Sequence, residues 1–176
     1  MRSIMCFAAL TLAVIVPCVA SAQDENPRDL AGKEAPAVKL DLLKDGQLDL
    51  SSHKGKEYVV LDFTTTWCPW CVKSTQHIEE RAKQYKDKPV AFYMIHFGEE
   101  KETVEKFIKK KGISVPVALD PDRAVADDYL VDYIPQVVVV DKEGKIVSVA
   151  IGEDEVGPAI DEALAKAFGE EKPETN

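Results

Sequence analysis

The 176-residue sequence predicts an α/β domain built on a mixed β-sheet, and three observations predict it. Two apolar runs, Tyr58 to Phe63 and Val90 to Phe97, are separated by a helical pattern, which is the parallel crossover of a strand–helix–strand unit. Two later runs, Gln136 to Val140 and Ile146 to Ile151, flank the turn Lys142-Glu143-Gly144-Lys145 and form an antiparallel hairpin, so the sheet is mixed. The third observation is chemical: Cys68-Pro69-Trp70-Cys71 falls where the first strand gives way to its helix.

Each element follows from local pattern. Val38, Leu40 and Leu42 alternate with other residues, Lys44-Asp45-Gly46-Gln47 turns the chain, and Leu48 and Leu50 return, giving an N-terminal hairpin. Tyr58 to Phe63 is apolar throughout except for Asp62, as in a strand covered on both faces, and is placed at the centre of the sheet. A helix from about Pro69 to Tyr85 starts with proline in its first turn and aligns Ile78, Ala82 and Tyr85 on one face. Thr103 to Lys111 is an amphipathic helix carrying Val104, Phe107 and Ile108 and closed by Gly112. Val115 to Leu119 is a short extended piece, Arg123 to Tyr129 a short helix after the turn Asp120-Pro121-Asp122, and Glu155 to Phe168 the last helix.

Composition bounds the function. With 45% hydrophobic residues the chain can bury one core, and 22 Lys and Arg against 31 Asp and Glu give a net charge of -9. Such a chain lacks the cationic surface that releases counterions, so nucleic acid is excluded as a partner. Ser3 to Gln23 is uncharged, follows Arg2 and contains the apolar run Ile4 to Val16, and Ala20-Ser21-Ala22 offers a signal peptidase its small residues. Residues 1–22 therefore read as an export signal. The alternative is a membrane anchor through residues 3–22, since 21 uncharged residues nearly span a bilayer; Pro17 and the short N-terminal flank favour cleavage. The protein is expected to be exported, periplasmic or secreted, with residues 23–34 as a linker, 35–168 as the domain and 169–176 as a flexible tail.

Cleavage removes Cys6 and Cys18, so Cys68 and Cys71 are the only cysteines of the mature chain, in a setting where disulfides persist. At a helix N-terminus, unpaired N–H groups and the helix dipole stabilise an anion, so Cys68 is expected to form a thiolate below the free value of about 8.5. Cys71, one turn in, can attack Cys68 and resolve a mixed disulfide. A structural disulfide closing so short a loop would contribute only roughly 2 kcal/mol. Zinc needs a second ligand pair, which His53, His77 and His96 do not supply, so neither a metal nor another cofactor is called for. Asp62 is the other candidate: a carboxyl in a buried strand has its pKa raised and could accept the Cys71 proton, directly or through water. The rival reading has Asp62 point to solvent or hydrogen-bond a neighbouring loop.

Leu61-Asp62-Phe63, Trp67-Cys68-Pro69-Trp70-Cys71 and Ile134-Pro135 resemble the thioredoxin-fold oxidoreductases, and the layout from Ala35 to Phe168 resembles the exported TlpA and ResA type. The resemblance implies a thioredoxin-like central mixed sheet flanked by helices with an added N-terminal β-hairpin. It also implies a cis bond before Pro135, a proline loop beside Cys68, and pairing of an extended client with the Ile134 backbone. Two departures concern proton handling. Many relatives carry Glu three residues after the second cysteine, then an aromatic residue and Pro, where this chain has Ser74-Thr75-Gln76; thioredoxins usually set a Lys beside the buried acid, where this chain has Phe92. Without a cationic partner Asp62 should be hard to ionise.

Trp67 is expected to form an apolar collar around the reactive sulfur, while Trp70 fits collar and core equally. His96 is read as satisfying a loop group rather than as part of the site. Asp120, Asp122, Asp127, Asp128 and Asp132 would give the client groove an acidic rim or form a solvated face. The function expected is disulfide exchange with disulfide-bearing or dithiol exported proteins, leaning to reduction as in cytochrome c maturation, with electrons from a membrane donor. Two rivals stand beside it. Thr65 three residues before Cys68 is shared with thiol peroxidases of the peroxiredoxin kind; a copper chaperone of the Sco type would need three residues between its cysteines and a later histidine.

Overall fold

The computed structural model describes residues 26–169, so the expected export signal, the start of the expected linker and the expected tail after Gly169 lie outside the described residues. A two-stranded hairpin, β1 (Lys39–Asp41) and β2 (Gln47–Asp49), precedes β3 (Tyr58–Thr64), α1 (Pro69–Gln84), β4 (Val90–Phe97), α2 (Lys101–Lys111), β5 (Val117–Asp120), α3 (Ala124–Asp128), β6 (Gln136–Val140), β7 (Ile146–Ile151) and α4 (Glu153–Phe168). The main sheet has the order β5-β4-β3-β6-β7. The expected centre of the sheet is its centre: β3 pairs parallel with β4 and antiparallel with β6.

Period-two alternation divides β3 between two cores. Val59, Leu61 and Phe63 pack with Ile95, Phe97, Val138 and Val140 against α3 and the N-terminal hairpin, through residues such as Tyr129, Val38 and Leu48. Val60, with Met94, Val137 and Val139, faces Ile78 and Tyr85 of α1, Val104 and Ile108 of α2, and Val156, Ile160 and Leu164 of α4. Asp62 and Thr64 follow Val60 in the alternation and take this second face.

Capping explains the helix ends. Gly112 closes α2 at φ 67°, a left-handed conformation that glycine adopts without a Cβ penalty. Helix α2 begins at Lys101 rather than Thr103, and α4 at Glu153 rather than Glu155, because acidic residues extend both first turns toward the positive end of the helix. The extended piece expected from Val115 is a strand only from Val117, and Leu50, expected on the return strand, starts a 3-10 turn.

The expected linker departs most. Pro27–Leu30 form a 3-10 turn capped by the Asn26 side chain, with Pro27 and Leu30 buried. Gly32 N–H donates to Ile146 O, and Ile146 N–H donates to Lys33 O. Two apolar residues in a polar stretch were enough to dock it on the sheet. Among the described residues no helix is long and apolar enough to cross a membrane.

Candidate active site

Strand β3 ends at Thr64, the chain turns through Thr65-Thr66-Trp67, and α1 starts at Pro69 with Cys68 as its N-cap. Cys68 and Cys71 are disulfide-bonded. The Cys71 N–H points at Cys68 Sγ from 3.1 Å, which occupies with sulfur the position that a Ser or Asp oxygen takes at most helix starts. One turn on, the Ser74 and Thr75 hydroxyls both donate to Cys71 O, at 3.0 and 2.8 Å. Both cysteines are buried, Cys68 to 3% exposure and Cys71 to 1%.

Asp62 is fully buried and neither carboxyl oxygen has a hydrogen-bond partner. Burial pushes its pKa up to about 7. Phe92, opposite Val60 in the parallel ladder and in the same core, brings only a ring to this face, so no cation offsets the desolvation. Asp62 thus lacks the cationic partner whose absence was expected from the departure at Phe92.

The Ile134–Pro135 bond is cis, and Ile134 O lies 3.9 Å from Cys68 Sγ, so the proline loop and the nucleophile candidate share one end of the sheet. Trp67 and Trp70 are exposed to 70% and 58%. Lys73 sits over the Trp70 ring at 4.7 Å, which places Trp70 at the surface rather than in the core. Tyr133, next to Ile134 and 72% exposed, is a third aromatic that sequence reasoning passed over, although an aromatic beside the proline loop was signal enough. Of the proposed acidic rim, Asp122, Asp127, Asp128 and Asp132 are exposed. Asp120 is not: it is fully buried and accepts from the Val125 and Ala126 N–H groups, because the start of α3 leaves those donors free.

One cluster had no local signal. Glu99, whose side chain is 6% exposed, accepts from the Thr66 N–H at 2.9 and 3.1 Å, from the Thr66 hydroxyl and from His96 Nδ1 at 3.0 Å. Burial raises the Glu99 pKa, but the hydrogen bonds from His96 and Thr66 outweigh it and hold the carboxyl below its usual value. His96 bonds a side chain rather than the loop carbonyl expected for it. Thirty-three residues separate Glu99 from Thr66, and only the parallel pairing of β3 with β4 brings them together. The clasp fixes the loop that carries Trp67 and Cys68. Among the described residues no group of three or more His, Cys, Asp or Glu could hold a metal ion.

Comparisons with known proteins agree with this geometry. The Redoxin family profile matches residues 30–167. The thiol-disulfide oxidoreductase ResA of Bacillus subtilis is 36% identical over 121 residues, covering 69% of this chain and 67% of its own. The thioredoxin domain of a thiol-disulfide oxidoreductase from Bacteroides vulgatus superposes with a TM-score of 0.68 at 28% identity, over 76% of this chain and 97% of that one. A thiol:disulfide interchange protein from Bacteroides sp. gives 0.67 at 26% identity, over 81% and 92%. A bonded cysteine pair at the start of α1, a cis-proline loop beside it and these relatives lead to one conclusion: the chain belongs to the Redoxin family, as a ResA-like thiol-disulfide oxidoreductase of thioredoxin fold.

Proposed function

We propose that this oxidoreductase is exported and reduces disulfides in other exported proteins, with Cys68 as nucleophile, Cys71 as resolving thiol and Asp62 as proton acceptor. The observation that carries the reading is Cys68 at the N-cap of α1, with a backbone N–H aimed at its sulfur and the unpartnered Asp62 on the adjoining sheet face. In the reduced protein the same N–H and the helix dipole favour a Cys68 thiolate. That thiolate attacks a client sulfur and the other client sulfur leaves with the bonding electron pair. Cys71 then passes its proton to Asp62, attacks Cys68 Sγ and expels the second client thiolate, which leaves the client reduced and the Cys68–Cys71 bond closed.

Trp67 and the Ile134–Pro135 loop are assigned to client contact. The extended Ile134 backbone offers hydrogen bonds, and the exposed Trp67 ring covers apolar client surface. The shielding of Cys68 means a client must displace cover before it meets sulfur. The exposed Asp122, Asp128 and Asp132 favour basic clients, with an attraction that weakens with salt. Electrons return from a dithiol donor, assigned to a membrane protein because the domain works outside the cytoplasm.

Exchange with a disulfide-bearing client tests the reading directly. Cys68→Ser is expected to abolish reduction, and Cys71→Ser to accumulate a mixed disulfide on Cys68 from which clients are identified by mass. Turnover surviving in Cys68→Ser would overturn the mechanism. Equilibration with glutathione fixes the direction: a potential near -120 mV, that of a strong oxidant, would overturn the assignment as a reductase.

A further inference from the structure

We propose that His96, oriented by Glu99, takes over the proton that Asp62 receives from Cys71 and passes it toward the surface. The inference rests on the role of Asp62 stated above and extends it to a residue outside the cysteine motif.

The parallel ladder sets Asp62 opposite Met94 and Thr64 opposite His96, so Asp62 and His96 are diagonal neighbours on one face of the sheet. Both are buried, and on both the atom free to exchange a proton lacks a partner: the Asp62 carboxyl oxygens and His96 Nε2. Thr65 Oγ, just beyond the end of β3, is a third buried orphan. Leaving such groups buried without partners is costly, and their clustering around one strand end is not explained by stability. The tautomer follows from Glu99. An ionised carboxylate can only accept, so Nδ1 carries the hydrogen of the 3.0 Å bond, and in the neutral ring Nε2 then presents a lone pair.

The surroundings leave this route little competition. Helix α2 brings the Phe107 ring to His96, at 5.9 Å between centroids, and β5 sets Leu119 opposite it. Helix α1 buries Cys71 in its first turn and brings Tyr85 to this core, with Arg81 on the same helix, and α4 brings Asp161, which Arg81 pairs. Glu99 is the carboxylate bonded to the ring itself. When Cys71 attacks, its S–H bond breaks and the proton goes to Asp62. Asp62 gives it to His96 Nε2, directly or through one water, and the imidazolium rests against ionised Glu99 while the client sulfur leaves with its electron pair.

Carbon-13 and imidazole NMR titrations of the reduced full chain test the relay. In His96→Gln, loss of the imidazole that takes up its proton should raise the Asp62 midpoint by about one pH unit, and client reduction at pH 7 should fall roughly tenfold while recovering at high pH. Glu99→Gln keeps the imidazole but removes its anion and should shift the Asp62 midpoint in the same direction. Asp62 curves that superpose on the wild type in either folded variant would overturn the relay and leave the Asp62 role standing. Full turnover by Asp62→Asn would overturn both.

Discussion

Two buried aspartates on the same side of the sheet have opposite surroundings. Asp161, on α4 and 5% exposed, is held by Arg81 of α1 through two hydrogen bonds, at 2.6 and 3.1 Å, and Arg81 also donates to Gly157 O and His77 O. Asp62, on β3 and fully buried, has no partner for either oxygen. Equal burial with opposite pairing separates an anchor from the proposed proton acceptor. The Arg81–Asp161 pair locks α1 to α4 and so fixes the helix whose N-cap is Cys68; Asp62 keeps its proton within reach because nothing else satisfies it.

The comparison breaks first at the anchor. Arg81→Ala should cost about 3–5 kcal/mol, because it strands the Asp161 charge in the interior, and urea unfolding at pH 7 measures it. Replacing both partners with apolar residues of similar volume should restore most of that loss. At Asp62 the sign reverses. A carboxyl with a folded pKa of about 7 against a model value of 3.8 binds its proton more tightly folded than unfolded. Its contribution to stability is therefore neutral below about pH 4, falls as pH rises, and levels off above about pH 7 at a penalty on the order of 4 kcal/mol. Asp62→Asn should gain up to that amount over wild type at pH 8 and none at pH 3, while slowing release of the client from Cys68. Equal stability differences at the two pH values would remove the raised pKa from the argument.

The contrast also marks how far the sequence could be read. The strands, the helices and the cysteine pair were legible because their signals are local: a continuous apolar run in β3, proline at the start of α1, Gly112 after α2. Asp62 was legible as an acid inside an apolar run. Its lack of a partner could be anticipated only from Phe92 standing, opposite Val60 on the neighbouring strand, where thioredoxins usually set a Lys, which required the resemblance to relatives. Arg81 with Asp161, and Glu99 with Thr66, are separated by 80 and 33 residues, and no periodicity within a segment predicts which charge will meet which donor. The docking of Pro27–Leu30 was missed for the opposite reason: its two buried residues are too few to register against a polar background.

The smallest effect is also the most discriminating, because it turns on whether Arg81 is held in place. A Cβ added at Gly157 would fall 2.8 Å from Arg81 Nη2 and 3.0 Å from its Cζ. For a free arginine such a clash is relieved by a change of rotamer, and Gly→Ala within a helix would gain up to about 1 kcal/mol from propensity. Here the guanidinium is pinned by two bonds to Asp161, so it cannot move without weakening them. Gly157→Ala should therefore be destabilising by about 1 kcal/mol in the wild type, the crowding outweighing the propensity gain. In the Arg81→Ala background the clash is gone and the same substitution should become stabilising by a similar amount. A change of sign between the two backgrounds, read from urea midpoints in a double-mutant cycle, would show that the anchor is rigid; the same sign in both would mean that Arg81 yields and that α1 is held by its apolar face alone.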